Sequence, residues 1–124
     1  MQSTLIVILG PTGVGKTEIS LQVAQNLQTP IISADSRQIY KELKIGTAAP
    51  TSEQLSTVKH YFIGSHSIFE NFSAGQFEQE ALALLEKHFA TNHIALMVGG
   101  SMLYIDAVCK GLDNIPTVDT TTRN

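Results

Sequence analysis

Cysteine is almost absent from this chain: Cys109 is the one residue of its type among 124. An internal disulfide is therefore excluded, and so sparing a use of the thiol fits a reducing compartment. Basic residues are scarce as well. Eight Lys and Arg stand, scattered, against eleven Asp and Glu, for a formal charge of −3. That balance argues against a segment that clamps nucleic acid by charge on its own. No apolar run approaches the ~20 residues that a membrane helix needs. The apolar start lacks a basic region and reads as a strand rather than a signal peptide, so a cytoplasmic protein is expected. In such a protein the sequon at Asn71-Phe72-Ser73 is a chance match. His60, His66, His88 and His93 do not fall at metal-ligand spacing and read as surface or core-edge histidines. No internal repeat is visible.

What is present is a globular composition, 43% hydrophobic with 15% charged residues, in a length that suits one domain. Its most informative stretch is Gly10-Pro11-Thr12-Gly13-Val14-Gly15-Lys16-Thr17. This fits G-x-x-x-x-G-K-S/T, a loop that wraps a chain of phosphates. The context agrees. Thr4 to Leu9 is a β-branched apolar run suited to a buried strand, and Ile19, Val23, Ala24 and Leu27 then recur at helical spacing. Glycines let the backbone turn its N–H groups inward, and the helix N-terminus adds partial positive charge. Lys16 is placed to reach the terminal phosphates and Thr17 to reach a magnesium ion. Diphosphate esters, nucleoside triphosphates such as ATP, and inorganic anions can all be held this way.

Further along, Thr29-Pro30 breaks the helix and Ile31-Ile32-Ser33 reads as a second strand. Thr51 to Gln54 looks like a capping box for a short helix, and His60 to Ile63 like a strand stopped by Gly64. Ser73-Ala74-Gly75-Gln76 is another capping box, ahead of a helix with Phe77, Ala81, Leu84, Leu85 and Phe89 on one face. Ile94 to Val98 is a continuous apolar strand ended by Gly99-Gly100. Ser101 can cap a last helix whose Leu103, Ile105, Ala107 and Val108 face inward before Gly111 stops it. Asp113 to Asn124 is polar and shows no apolar period, so it reads as a linker.

Strands alternating with helices predict an α/β fold: a P-loop NTPase-like three-layer arrangement around a parallel sheet, incomplete in this length of chain. Residues 1–112 form its core and 113–124 lead out of it. Ligands of such sheets sit beyond the carboxyl ends of the strands. The phosphate loop, Ser33–Gln38 and Gly99–Ser101 all fall at such ends and should converge. Asp35 there could serve as a general base, hold magnesium through water, or cap a helix. Arg37 could pair with phosphate and Gln38 could read a base edge. Hydrolases with this loop carry an acidic residue at the end of a central strand. Gly-Gly-Ser follows Val98 instead, which argues against hydrolysis and suits a substrate lying close over the strand end. A kinase and a non-catalytic phosphate-binding module are the other classes open to these residues.

Four motifs in order carry a resemblance: the loop at 10–17, Ser-Ala-Asp-Ser-Arg-Gln-Ile-Tyr at 33–40, Ile-Gly-Thr-Ala at 45–48 and Gly-Gly-Ser-Met-Leu-Tyr-Ile at 99–105. Together they resemble the tRNA dimethylallyltransferases, enzymes that prenylate the adenosine beside the anticodon. Gly111 to Pro116 matches as well, so the likeness covers essentially the whole chain. Cytokinin-forming adenylate prenyltransferases are similar but usually differ at Ser36-Arg37.

The resemblance implies that Gly10, Pro11, Thr12, Gly13, Val14, Gly15, Lys16 and Thr17 hold the diphosphate of dimethylallyl diphosphate, with Mg2+ at Thr17. It implies that Asp35 takes a proton from the adenine amine and that Thr12 contacts the departing diphosphate. Asp35, Ser36, Arg37, Gln38, Ser101 and Arg123 become contacts to the tRNA anticodon stem-loop. Met102 departs from the family, where glycine is common. Family members are longer, with a helical insertion and more basic residues. The chain thus looks like an amino-terminal fragment, inactive alone, of a cytoplasmic enzyme that is monomeric at full length.

Overall fold

The computed structural model describes residues 3–9, 14–36, 39–40, 52–67, 72–113 and 118–123, with the backbone alone at 14–17, 113 and 118–123. Its elements, in chain order, are β1 (Ser3–Leu9), α1 (Val14–Leu27), β2 (Ile31–Ser33), α2 (Ser52–Thr57), β3 (His60–Tyr61), α3 (Ala74–Phe89), β4 (Ile94–Gly99), α4 (Met102–Asp113) and β5 (Val118–Arg123). The strands form one sheet in the order β3-β2-β4-β1-β5, and every pair is parallel.

Both faces of the sheet are covered, which is why β1 and β4 are apolar without alternation. Leu5, Val7, Ile32, Ala95 and Met97 pack on one side with Phe77, Ala81 and Leu85 of α3 and Tyr104, Ile105, Val108 and Leu112 of α4. Ile8, Ile31 and Leu96 face the other side, against Leu21 and Ala24 of α1 and Val58 after α2. The chain leaves β1 towards the β3 edge but leaves β4 towards the β5 edge. Right-handed crossovers in opposite directions place their helices on opposite faces, as found.

Local signals set the ends of the elements. The Ser73 capping box is complete: its Oγ accepts from Gln76 N at 3.2 Å, and its own N–H donates to Gln76 Oε1 at 2.8 Å. At the end of α1, Gln28 takes a positive φ of 54°. The Thr29 N–H then returns to the Ala24 carbonyl at 3.1 Å and the Gln28 N–H to Gln25 at 3.3 Å, closing the helix before Pro30. Thr51, the first residue of the other expected capping box, lies outside the described residues.

Four expectations need correction. The tail is not irregular throughout, because Val118–Arg123 pairs with β1 from Ser3↔Val118 to Ile8↔Arg123. Its Val and Thr residues suit a strand by β-branching, which a search for apolar period overlooks. Leu103 is 71% exposed and Ile19 57% exposed, while Tyr104, Leu112 and Leu21 fill the inward positions. β3 ends at Tyr61, since Phe62 has a φ of 67°. Gly111 does not stop α4 but lies inside it, where a Cβ would stand 2.6 Å from Leu82 Cδ1 of α3.

Gly99 also has a different use from the one expected. A Cβ there would press on the Ala34 carbonyl oxygen and stand 2.6 Å from its carbon, so the strand accommodates backbone rather than substrate. Gly99→Ala should therefore destabilise the fold by about 2–3 kcal/mol, since the obstacle is main chain that cannot rotate away. Gly111→Ala meets only the flexible side-chain ends of Leu82 and Glu78 and gains helix propensity, so it should be nearly neutral. Urea unfolding of the two variants measures the contrast.

Candidate functional site at the carboxyl ends of the strands

The register Leu9↔Gly99 and Ser33↔Val98 brings the ends of β1, β4 and β2 level on neighbouring strands. From the end of β1 the chain passes through 10–13, outside the described residues, and enters α1 at Val14. Val14, Gly15, Lys16 and Thr17 thus occupy the first helical turn, at the end of the helix that favours anions. Gly10, Pro11, Thr12 and Gly13 are not described, nor are the side chains of the next four residues.

Two segments meet beside this point. Ala34 continues the ladder past the end of β2: its N–H donates to Val98 O at 2.8 Å and its carbonyl accepts from Ser101 N at 3.2 Å. Half-buried Asp35 follows, its carbonyl accepting from Ile39 N at 3.3 Å to close a turn. The Ser36 N–H donates to Ser101 Oγ at 2.8 Å, and that hydroxyl donates to Ser36 Oγ at 3.2 Å. Ser101 still heads α4, because its carbonyl accepts from Tyr104 N and Ile105 N at 3.0 and 3.1 Å. Its side chain, however, is turned to Ser36.

Of the expected residues, the structure thus brings together Asp35, Ser36 and Ser101. Arg37, Gln38 and the motif at 45–48 lie outside the described residues. The Arg123 backbone ends β5 opposite Ile8, with its side chain not described. Among the described residues, no group of three His, Cys, Asp or Glu side chains could hold a metal. No described helix is long and apolar enough to cross a membrane. Among the described residues, two clefts gather around Pro30 and Tyr61, at the amino-terminal end of β2, and are lined by none of these groups.

Tyr104 is the residue that motif reading passed over. It is 5% exposed, and burial, then the neighbouring Tyr40 and the Asp35 carboxyl, push its phenol above the ordinary value of 10.0. A neutral phenol therefore lies within electrostatic reach of Asp35. The signal was available, since a residue three after Ser101 shares its helix face. A carboxylate on a turn fixed in this way can accept a proton from a nucleophile brought to the strand ends.

Ser101→Ala removes both side-chain ties to Ser36. It should cost about 1 kcal/mol and speed amide exchange at Ser36, whereas Ser101→Thr, which keeps the hydroxyl, should preserve protection. Hydrogen exchange followed by NMR checks both.

Comparison with known proteins agrees with this fold. The family model for IPP transferase matches residues 38–124. The chain is similar to tRNA dimethylallyltransferase 1 of Bacteroides fragilis, 59% identical over 120 residues, which is 97% of this chain and 40% of that protein. The like-named protein of Phocaeicola vulgatus is 57% identical over 123 residues, 99% of this chain and 41% of its own. Among solved structures, the tRNA delta(2)-isopentenylpyrophosphate transferase of Staphylococcus epidermidis superposes with a TM-score of 0.79 at 37% identity, covering 86% of this chain and 35% of that one. A eukaryotic dimethylallyltransferase described as acting on tRNA gives 0.77 at 30% identity, over 85% of this chain and 26% of its own. The chain spans about 40% of the length of the curated relatives it matches. A family match over most of its length, on a sheet that superposes with the solved members, shows that this chain belongs to the IPP transferase family.

Proposed function

We propose that this chain is the donor-holding and proton-accepting portion of an enzyme that transfers a dimethylallyl group from dimethylallyl diphosphate to the exocyclic N6 amine of the adenosine adjacent to the anticodon in tRNA. The observation that carries the reading is the Asp35–Ser36 turn, pinned to Ser101 level with the strand end that feeds the phosphate loop. The reading also draws on the names of the relatives, which are tRNA dimethylallyltransferases rather than kinases.

In this scheme the loop at 10–17 and the first turn of α1 hold the diphosphate, and Lys16 neutralises its charge. The N6 nitrogen attacks the allylic carbon, forming the C–N bond as the C–O bond breaks. Diphosphate leaves with the bonding pair, past Thr12, and the amine proton passes to the Asp35 carboxylate. Gln38, Arg37, Ser36, Ser101 and Arg123 belong to the acceptor side. The Thr17 hydroxyl suits a magnesium ion held mainly by phosphate oxygens, a mode that needs no carboxylate cage and so fits the donors here. Such an ion would supply charge neutralisation to the leaving group. A cytoplasmic, monomeric enzyme is part of the same reading.

Transfer of label from dimethylallyl diphosphate to tRNA, measured with the longer gene product, tests the proposal. Label left in the donor, or turnover that consumes ATP, would overturn it. Asp35→Asn should lower the rate of transfer about 10²–10⁴-fold with little change in substrate affinity, because proton transfer is felt only on the way to the transition state. Loss of affinity at an unchanged single-turnover rate would make Asp35 a binding or metal residue instead. Lys16→Ala should weaken pyrophosphate binding by about 2–3 kcal/mol through loss of a charge-assisted contact, as titration calorimetry would measure.

A further inference from the structure

We propose that His66 is a positioning residue for the Asp35–Ser36 turn, acting through a closed ring of five side chains and a main-chain bridge to Tyr40. The inference rests on reading that turn as the acceptor side of a transferase.

The ring can be followed contact by contact. His66 lies 4.3 Å from Phe72 and 6.4 Å from Phe62, centroid to centroid. Phe62 meets Phe77 at 5.0 Å, and Phe77 stacks on Tyr104 at 4.6 Å with 23° between planes. Tyr104 returns to Phe72 at 6.3 Å, edge on. At one side of the circuit Tyr104 sits in the first turn of α4, whose leading residue Ser101 grips Ser36. At the other side the His66 N–H donates to Ile39 O at 3.0 Å, and His66 pairs with Tyr40 in a parallel bridge. The turn bearing Asp35 is therefore held at both ends, and the aromatic circuit fixes how far apart the two grips stand. Aromatic pairs of this kind are directional, so they constrain orientation as well as distance.

Histidine suits this place because its edge is tied as well as its faces. Nδ1 lies 2.7 Å from Ser65 Oγ and Nε2 3.1 Å from Glu80 Oε1 of α3. A neutral ring with its hydrogen on Nε2 satisfies both, accepting from Ser65 and donating to Glu80. The His66 side chain is 14% exposed and that of Glu80 47%, so this pair adds little net stability. What it does is stop the imidazole from rotating between Phe62 and Phe72. A phenylalanine would pack there without that lock.

The test uses the full-length gene product with His66→Ala, His66→Phe and the double change Ser65→Ala with Glu80→Gln. His66→Ala should slow single-turnover transfer about 10- to 100-fold while pyrophosphate affinity stays within about twofold, since a small displacement of a reacting group is costly and the phosphate loop is not involved. Amide exchange at Ser36 and Ile39 should quicken in the same variant. His66→Phe, which keeps the ring in the circuit, should recover most of the rate. Should His66→Ala fail to fold, the double change strips the polar ties but leaves the packing, and it should show the same two effects in milder form. Wild-type rate and exchange in these variants, an equal loss of pyrophosphate binding and transfer, or no recovery with Phe would overturn the proposal. If the wild-type enzyme transfers no label, the functional reading fails, and exchange at Ser36 still decides whether His66 holds the turn.

Discussion

A missing side chain at Gly99 is the constraint on which the site depends. Ala34 has left β2, yet it keeps bonding to the segment around β4, its N–H to Val98 and its carbonyl to the Ser101 N–H. Its carbonyl can reach Ser101 only by passing over Gly99, where any Cβ would collide with it. Given that passage, the next residues of both chains fall opposite each other, and Ser36 meets the Ser101 hydroxyl without further adjustment. The placing of Asp35 is thus inherited from a strand ladder, the stiffest kind of scaffold available to a side chain at the surface.

Such scaffolding answers a conflict. The proton acceptor proposed above would have to remain open to its substrate, so it could not be immobilised by burial, and Asp35 is only half-buried. Its neighbours carry the burial instead. Ala34 and Ile39, on either side of Asp35 and the exposed Ser36, are completely buried, and so nearly is Tyr104. Burial and backbone bonds on the flanks hold the turn, while Ser36 stays exposed. Phe62 accepts a left-handed backbone to enter the aromatic circuit beneath, a local cost that packing on Phe77 offsets.

Much of this was legible in the residues, and the failures have physical causes. Apolar runs located β1, β2 and β4, and the Ser73–Gln76 box located α3, because burial on both faces and capping each leave a local mark. Of the expected convergence of Ser33–Gln38 with Gly99–Ser101, the part through Ser36 was also found, since parallel sheets gather their strand ends, while Arg37 and Gln38 lie outside the described residues. The inward face of α4 was misjudged by one position, Leu103 for Tyr104, because both are large and helical period alone does not choose between adjacent residues. β5 was missed because its residues suit a strand through branching rather than apolarity. His66 read as an ordinary histidine. Its contacts come from Phe72, α3, the 62–65 segment and Ile39–Tyr40, a set that no single sequence spacing announces.

The strand order also bears on the proposed transfer. β4 lies between β1 and β2, so the loop that would hold the diphosphate and the turn that bears Asp35 are two strand spacings apart. Each spacing is about 4.8 Å, which separates the two sites by roughly 10 Å at the level of the backbone. Were β2 paired directly with β1, the Asp35 carboxylate would stand against the diphosphate, where like charges repel and no amine could enter. In the proposed transfer the interposed strand would leave room between base and leaving group for the amine to approach the reacting carbon. Because β4 is also the strand that carries Gly99, the element which separates the two sites is the one that fixes the position of the second.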